Sequence, residues 1–345
     1  MNNKKIFKIR NHNITVDIKK NLLNFLNPTS KGTNYWDSPP ERFVNKFEIA
    51  RIILQVHQFF DIAKNFNINL KNKSLLDVGT GNGMVPNLIL NFSNLKSGEG
   101  TDPFYDGEHV TSWQKHDRDK LFKIIKNKFI KNYKLKLKIE KYKKDLVQED
   151  YAFFPQNIKL NKYNNKKLNY YKYGAHNLNK LKKKYDIIYC KAIEHINDSD
   201  LLAKNFESVS KKGTLVYFKH RSFFSYLGPH RYASTGIPWG HLILNENEIK
   251  KYIKIFHNNR SKQFLDFFYK GLSYPRFTVG GLIKSFVNRN FTVLGIKSEA
   301  PRHHEKTVKK AKEMPFLWSL AKKNHPNVSE DEILSGIYHI ILKKL

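Results

Sequence analysis

Residues 75–83 read LLDVGTGNG, a short apolar run that ends in an acid and is followed by three glycines at alternate positions. The apolar run predicts a buried β-strand, and the residues from Met84 onward predict a helix. Glycine permits tight turns and lets a ligand approach bare backbone, and the first turn of a helix offers free N–H groups to an anionic group. The stretch therefore predicts a strand–turn–helix unit that binds a nucleotide-type cofactor.

The spacing of the glycines distinguishes between kinds of cofactor site. A dinucleotide site has the pattern G-x-G-x-x-G, but here the last glycine comes one residue early and Met84 occupies its place. A phosphate-binding P-loop is excluded because no Gly-Lys-Ser/Thr follows. An acid two residues before G-x-G-x-G resembles motif I of the class I S-adenosylmethionine (SAM) methyltransferases. The resemblance implies SAM as the cofactor, with its amino-acid end held by Asp77, Gly79, Thr80, Gly81, Asn82 and Gly83.

Three later stretches agree with this resemblance. The second strand is expected to end in an acid that accepts hydrogen bonds from the ribose hydroxyls, and Asp102, followed by Pro103, stands at the expected distance. Residues 168–178 resemble the third strand and its adenine-contacting turn, where Ala175 and His176 stand in place of the acid that the family often has. Residues 185–196, YDIIYCKAIEHI, resemble the fourth strand and its loop, and their ending is similar to that of methyltransferases of the ubiquinone O-methyltransferase type. The resemblance adds Cys190 and Glu194 to the cofactor site.

The resemblance also implies the fold class: α/β, a seven-stranded doubly wound methyltransferase sheet with an N-terminal helical cap and insertions after strands two and five. We predict that residues 1–70 form an N-terminal hairpin and helical cap. Residues 71–345 are predicted to form the methyltransferase domain, with insertions near 105–165 and 221–277.

Local patterns predict the individual elements of these parts. Alternation over residues 6–18 indicates a hairpin, and apolar spacing over 41–66 indicates a helix that either covers the cofactor cleft or packs on the sheet. Another helix is predicted within 117–144, and Thr278 and Ser329 are predicted to cap helices. Residues 291–297 and 337–342 are predicted to form the last two strands, which the resemblance makes antiparallel.

Composition limits the partners and the compartment. The 345 residues carry 62 Lys and Arg against 30 Asp and Glu, a net charge of +32, which fits either a polyanion partner or compositional drift. We favour drift because the basic residues are mostly lysines spread along the chain.

No apolar run approaches the roughly 18 residues of a membrane span. A single cysteine, Cys190, cannot form an internal disulfide and predicts a cytoplasmic protein. Its place on a predicted core strand argues against the nucleophilic cysteine that cytosine-C5 methylation needs. We predict no metal site.

Histidines and arginines are the candidates for chemistry on the acceptor. A hydroxyl acceptor must lose a proton, and histidine is the usual base; the candidates are His195, His220 and His241. Arg221 and Arg231 would suit an anionic acceptor such as a carboxylate, a phosphate or an acidic sugar, because a guanidinium binds such groups with two donors. His230 lies between them, and Trp239 would stack on a sugar or ring, although a packed core explains Trp239 equally well.

Three hypotheses about the function differ in the acceptor that they require. The signature Asp/Asn-Pro-Pro-aromatic of base N-methylation is absent after the fourth strand, where residues 190–193 read CKAI. We therefore predict O-methylation of a small molecule, a sugar or a lipid-linked acceptor. The alternatives are an RNA methyltransferase that uses the basic surface, supported only by charge, and a non-catalytic SAM-binding protein.

Overall fold

The computed structural model describes residues 4–17, 46–103, 123, 127, 163–226, 228, 235, 237–257, 261–271, 276–299 and 304–345. Its strands are β1 (Lys4–Ile9), β2 (His12–Asp17), β3 (Ser74–Val78), β4 (Ser97–Thr101), β5 (Asn169–Tyr171), β6 (Tyr185–Cys190), β7 (Ser210–Arg221), β8 (Phe291–Glu299) and β9 (Ile337–Lys344). Strands β1 and β2 form a hairpin, and the others form one seven-stranded sheet in the order β5-β4-β3-β6-β7-β9-β8.

The register of the sheet brings the ends of its central strands to one level. Strand β3 runs parallel to β4 and β6, with Val78 opposite both Thr101 and Cys190. The residues that follow these strands therefore start side by side at the carboxyl edge, where ligands bind in open α/β sheets. Strand β9 is antiparallel to both of its neighbours, β7 and β8. The predicted doubly wound sheet and its antiparallel final pair are confirmed.

Helices cover both faces of the sheet, as the buried apolar strands require. The α-helices that the structure describes are α1 (Lys46–Asn65), α2 (Met84–Asn91), α3 (Ser199–Ser208), α4 (Gly240–Ile243), α5 (Glu246–His257), α6 (Ser261–Asp266), α7 (Val279–Val287), α8 (His304–Lys312), α9 (Leu317–Asn324) and α10 (Glu330–Leu334). Helices α1 and α2 share one apolar core with the sheet, and α3 and α7 share the core on its other side. Short 3₁₀ turns span Ala175–Leu181 and Ile193–His195.

Helix α1 packs on the sheet, which is the second of the two arrangements that its apolar spacing allowed. Val56 and Phe59 are buried in the core beneath it, and the Phe59 ring lies 5.3 Å from that of Tyr189, edge to face. Its polar residues reach the carboxyl edge, where the Gln55 amide oxygen accepts a 3.0 Å hydrogen bond from the Lys191 ammonium.

The predicted hairpin is confirmed, but it packs away from α1. Phe7 and Ile9 of β1 belong to a separate apolar core built from residues 223–268 and 311–333. The Arg10 side chain donates to the Asn324 side chain at 2.9 Å, and the Phe7 ring lies 5.4 Å from Tyr252. We call this unit, made of the described parts of residues 4–17, 222–271 and 304–334, the accessory lobe. The domain boundary near residue 70 stays a prediction.

Side-chain caps mark the helix starts that the sequence indicated. The Thr278 hydroxyl accepts from the Gly281 N–H at 3.0 Å, and the Ser329 hydroxyl accepts from the Glu332 N–H at 3.1 Å. Within 117–144, where a helix is predicted, the structure describes only residues 123 and 127, which are both helical, and most of the 105–165 insertion lies outside the described residues. In the part of the chain that the structure describes, no helix has the length and apolar character needed to cross a membrane.

Candidate functional site

The glycine-rich loop after β3 folds back over the end of β4. Gly79, Gly81 and Gly83 all have left-handed backbone, with φ of +74°, +55° and +72°. The N–H groups of Gly79 and Thr80 donate to the Thr101 carbonyl at 2.8 and 2.9 Å. The Asn82 side chain accepts from the Met84 N–H at 3.1 Å, at the start of α2. The loop is therefore held at both ends by its own hydrogen bonds.

The three glycines are needed for different reasons. A Cβ on Gly79 would lie 2.4 Å from the Ala192 Cβ, and one on Gly83 would lie 2.3 Å from the Tyr170 ring. Both positions therefore exclude a side chain because protein already fills the space. A Cβ on Gly81 would meet nothing within 4 Å. The middle of the loop thus presents bare backbone to an open space, which is the cradle that a cofactor would fill.

Asp102 lies directly beside this cradle. Its carboxylate accepts a 2.9 Å hydrogen bond from the Gly81 N–H, and its own N–H donates to the Tyr171 carbonyl at 3.1 Å. The side chain is almost fully buried. A carboxylate can accept several hydrogen bonds. Asp102 can therefore bind the loop and still accept hydrogen bonds from the hydroxyls of a ribose.

The predicted adenine side of the site is built around the 3₁₀ turn Ala175–Leu181. Pro103 is exposed, and a Cβ on Gly174 would lie 3.8 Å from the Pro103 ring. His176 is half-buried, and its Nε2 lies 2.8 Å from the Asn197 carbonyl oxygen, which ties this turn to the loop after β6. Contacts of Pro103, Ala175 and His176 with adenine stay predictions.

Asp77 is fully buried under the loop, and burial raises its pKa to about 7. The positive charge of Lys191 acts in the opposite direction. Because this pKa is close to neutral pH, a positive or a negative charge placed near Asp77 changes the fraction of its carboxyl groups that is protonated. Cys190 is also fully buried, and burial raises the pKa of its thiol, so it is an unreactive core residue.

Glu194 and His195 occupy the 3₁₀ turn after β6. The turn is closed by hydrogen bonds from the His195 N–H to the Ala192 carbonyl and from the Ile196 N–H to the Ile193 carbonyl, both 3.1 Å. Both side chains are half-buried, and the buried Oε2 of Glu194 has no hydrogen-bond partner among the described residues. Because Ala192 touches Gly79, this turn borders the cradle.

The other two candidate bases lie inside the protein, which corrects their predicted role. His220 is 1% exposed, and burial, together with the charge of Arg276, lowers its pKa to about 3. His241 is 2% exposed, its Nε2 lies 2.7 Å from the Phe223 carbonyl oxygen, and burial lowers its pKa to about 4. Neither imidazole reaches solvent or an open space, so neither is placed to take a proton from an acceptor.

Of the predicted acceptor-binding residues, the structure describes Trp239 and Arg221. Trp239 is fully buried in the accessory lobe, and its indole N–H donates to the Ile333 carbonyl at 2.9 Å. The core interpretation of Trp239 is therefore correct, and stacking on an acceptor does not fit this position. Arg221 is half-buried at the end of β7. His230 and Arg231 lie outside the described residues.

Two charged residues of the site were missed by the sequence reasoning. Lys191 follows β6 directly, and its proximity to Asp77 could have been predicted from the parallel register of β3 and β6. Arg276 is buried beside the Ile193–His195 turn, and its two terminal nitrogens donate to the Ile193 and Ile196 carbonyls. No local pattern marks Arg276, because its partners lie about 80 positions away.

Together these residues fit a sulfonium nucleoside. The open face of Gly81 leaves room for the ligand, and Asp102 offers acceptors for vicinal hydroxyls. Asp77 and Lys191 supply charges of opposite sign near the loop, which match the two charges of an amino-acid end. The described residues thus offer complementary groups for the ribose and the amino-acid end of SAM.

Comparison with known proteins agrees with this geometry. A family model described as a methyltransferase domain matches residues 48–257, more than half of the chain. Nothing among the curated proteins matches. A Mesorhizobium loti SAM-dependent methyltransferase is 10% identical, with 83% of this chain and 97% of that chain covered and a TM-score of 0.40. A Listeria monocytogenes protein provisionally assigned as a SAM-dependent methyltransferase is 11% identical, with 85% and 99% covered and a TM-score of 0.42.

A Haemonchus contortus phosphoethanolamine N-methyltransferase, solved with S-adenosylhomocysteine, is 12% identical over 91% of this chain and 61% of that chain, with a TM-score of 0.39. Structural similarity at this low sequence identity gives no information about the acceptor. The family assignment rests on the domain match, to which the strand order and the glycine loop conform. The chain belongs to the methyltransferase domain family and is a SAM-dependent methyltransferase of class I.

Proposed function

We propose that this methyltransferase methylates a hydroxyl oxygen of a small molecule, a sugar or a lipid-linked acceptor by in-line transfer. The position of His195 carries the proposal. It is half-buried in the turn after β6, next to Glu194 and bordering the cradle. An acceptor hydroxyl must lose its proton as the new bond forms, and an imidazole beside the reacting atoms can take it.

The other candidate bases support this choice by their burial. His220 and His241 stay neutral at physiological pH, but protein surrounds their ring nitrogens. Among the candidate bases that the structure describes, His195 has the most accessible side chain. Absence of the Pro-Pro-aromatic signature from residues 190–193 favours oxygen over a base nitrogen as the acceptor atom.

Bound SAM supplies a methyl group that its sulfonium has already activated. The task of the protein is then to bind and to orient. The loop from Gly79 to Gly83 and Asp102 would hold the cofactor, and Asp77 and Glu194 would complete its surroundings. Orientation of two reacting groups in this way can reach effective molarities of about 10⁵–10⁸ M. His195 would then accept the hydroxyl proton.

An anionic group on the acceptor is part of the proposal. Arg221 stands half-buried at the end of β7, where a guanidinium could bind a carboxylate or phosphate of the acceptor. Arg231 and His230 would assist from the segment that follows. A cytoplasmic location also stays a proposal, because it rests on the single cysteine.

Methyl-tritiated SAM tests the proposal directly. The protein is incubated with a small-molecule extract and, separately, with total RNA from the same cells, and the labelled products are separated. We expect label in a base-stable small-molecule fraction, as for an ether. His195→Ala should lower this transfer about 10²- to 10⁴-fold while the affinity for S-adenosylhomocysteine stays the same.

His12→Ala is the matched control, because His12 lies in the hairpin and stacks on Phe316 at 4.6 Å. This variant should transfer at the wild-type rate. Label in RNA would replace the proposal by the nucleic-acid alternative, and cofactor binding without transfer to either extract would point to a non-catalytic binding protein. Full activity of the His195→Ala variant would remove His195 as the base.

A further inference from the structure

Arg276 is a buried arginine whose hydrogen bonds converge on one short turn. It lies at the end of the segment that leaves the accessory lobe, two residues before the Thr278 cap of α7. Its Nη1 donates to the Ile196 carbonyl and its Nη2 to the Ile193 carbonyl. Burial lowers its pKa to about 10, so the guanidinium remains charged at neutral pH.

The turn between these carbonyls carries Glu194, which is predicted to border the cofactor, and His195, the proposed base. It spans only Ile193–His195, and so short a 3₁₀ segment is marginal by itself. A guanidinium is rigid and planar, so the distance between its two terminal nitrogens is constant. Because these nitrogens bind carbonyls on either side of the turn, they fix the distance between those two carbonyls. The orientation of Glu194 and His195 therefore depends on a side chain that is about 80 positions away in the sequence.

The charge of Arg276 acts on the same groups. The negative charge of Glu194 opposes the effect of burial on the Arg276 pKa. The guanidinium in turn lowers the pKa of His220. Arg276 thus holds the backbone of the turn and places a positive charge beside it.

We propose that Arg276 is a positioning residue, which clamps the Ile193–His195 turn so that His195 faces the acceptor hydroxyl. This inference rests on the proposed function. Since Arg276 comes from the end of the segment that follows β7, the clamp also joins the accessory lobe to the acceptor side of the site. The hydrogen bonds described for Arg276 go to the backbone of this turn rather than to the glycine loop or Asp102, so we expect cofactor affinity and methyl transfer to respond differently to its removal.

The experiment compares Arg276→Ala and Arg276→Lys with Arg289→Ala as the matched control. Arg289 is also a partly buried arginine near α7, but it pairs with Glu207 at 3.2 Å at the opposite end of that helix. Three quantities are measured: the affinity for S-adenosylhomocysteine by calorimetry, the rate of tritium transfer into the acceptor fraction, and the pH titration of the His195 imidazole by NMR, assigned with His195→Gln.

In Arg276→Ala we expect transfer to fall about 100-fold, because a misplacement of about 1 Å at a reacting group has this effect. Affinity for S-adenosylhomocysteine should stay within about twofold of the wild type. Added guanidinium ion should restore part of the rate by filling the vacated space. Arg276→Lys, which keeps the charge but not the fork, should also transfer slowly, and Arg289→Ala should behave as the wild type.

A wild-type transfer rate in Arg276→Ala would overturn the inference. So would a loss of transfer that matches a loss of cofactor affinity, with no response to guanidinium and an unchanged His195 titration. If the wild type labels no hydroxyl acceptor, the proposed function fails, and the His195 titration still decides whether Arg276 sets the surroundings of the imidazole. If Arg276→Ala does not fold, the same readouts in Arg276→Lys decide.

Discussion

Replacement of Gly81 by alanine separates the backbone strain of the loop from its contact with the cofactor. Gly81 has φ of +55°, and a Cβ there would enter open space, with nothing within 4 Å. A left-handed residue with a side chain costs about 1–2 kcal/mol relative to glycine. Because no protein atom is displaced, this cost is the whole expected loss of folding stability, and for a chain of 345 residues it corresponds to a fall of about 1–3 °C in the melting temperature.

The same methyl group should weaken cofactor binding separately. If the open space holds SAM, the added carbon overpacks the contact, and such overpacking costs about 1–3 kcal/mol. The affinity for S-adenosylhomocysteine should therefore fall about 5- to 150-fold. Isothermal titration calorimetry measures this loss, and differential scanning calorimetry of the ligand-free protein measures the loss of stability.

Gly213 provides the matched control. Its φ is +85°, a Cβ there would also meet nothing within 4 Å, and it lies exposed near the amino end of β7, away from the carboxyl edge of the sheet. Gly213→Ala should lose a similar amount of stability and no affinity. Equal affinities in Gly81→Ala and Gly213→Ala would refute the assignment of the open space to the cofactor, whatever the melting temperatures show.

Three further outcomes follow from the contacts described above. Asp102→Ala should reduce the affinity for S-adenosylhomocysteine about 10- to 100-fold, since it removes charge-assisted hydrogen bonds, and an unchanged titration would exclude Asp102 from the site. Trp239→Phe should lower the free energy of unfolding by about 1–3 kcal/mol, because the Ile333 carbonyl loses its buried donor, while cofactor affinity and transfer stay the same; a lost transfer activity would return Trp239 to the acceptor site. His241 has its pKa lowered from 6.5 to about 4 in the folded state, so the unfolded state binds more protons between these values and folding stability falls as the pH drops below about 6.5. Urea unfolding between pH 7.5 and 4.5 should show a smaller loss in His241→Gln than in the wild type, and parallel curves would contradict this account.

The local part of the fold could be read from the sequence. The run Leu75–Val78, the glycine loop and the helix from Met84 are set by residues next to one another, through apolar burial and through backbone angles that glycine adopts most easily. Asp102 could be placed as well, because parallel strands of equal length end at one level, and the acid follows the second of them. The strands β6, β8 and β9 and the Thr278 and Ser329 caps were likewise predicted from local sequence patterns.

The surroundings of the acceptor follow from contacts between distant parts of the chain. His195, His220 and His241 look alike in the sequence, but their accessibility depends on segments that pack over them from distant parts of the chain. Trp239 looks equally suited to a ligand or to a core until the Ile333 carbonyl is found against its indole N–H. The cofactor loop follows from the sequence because it is built from consecutive residues. The Trp239 and Arg276 hydrogen bonds join residues about 80 or more positions apart, and no local pattern encodes them.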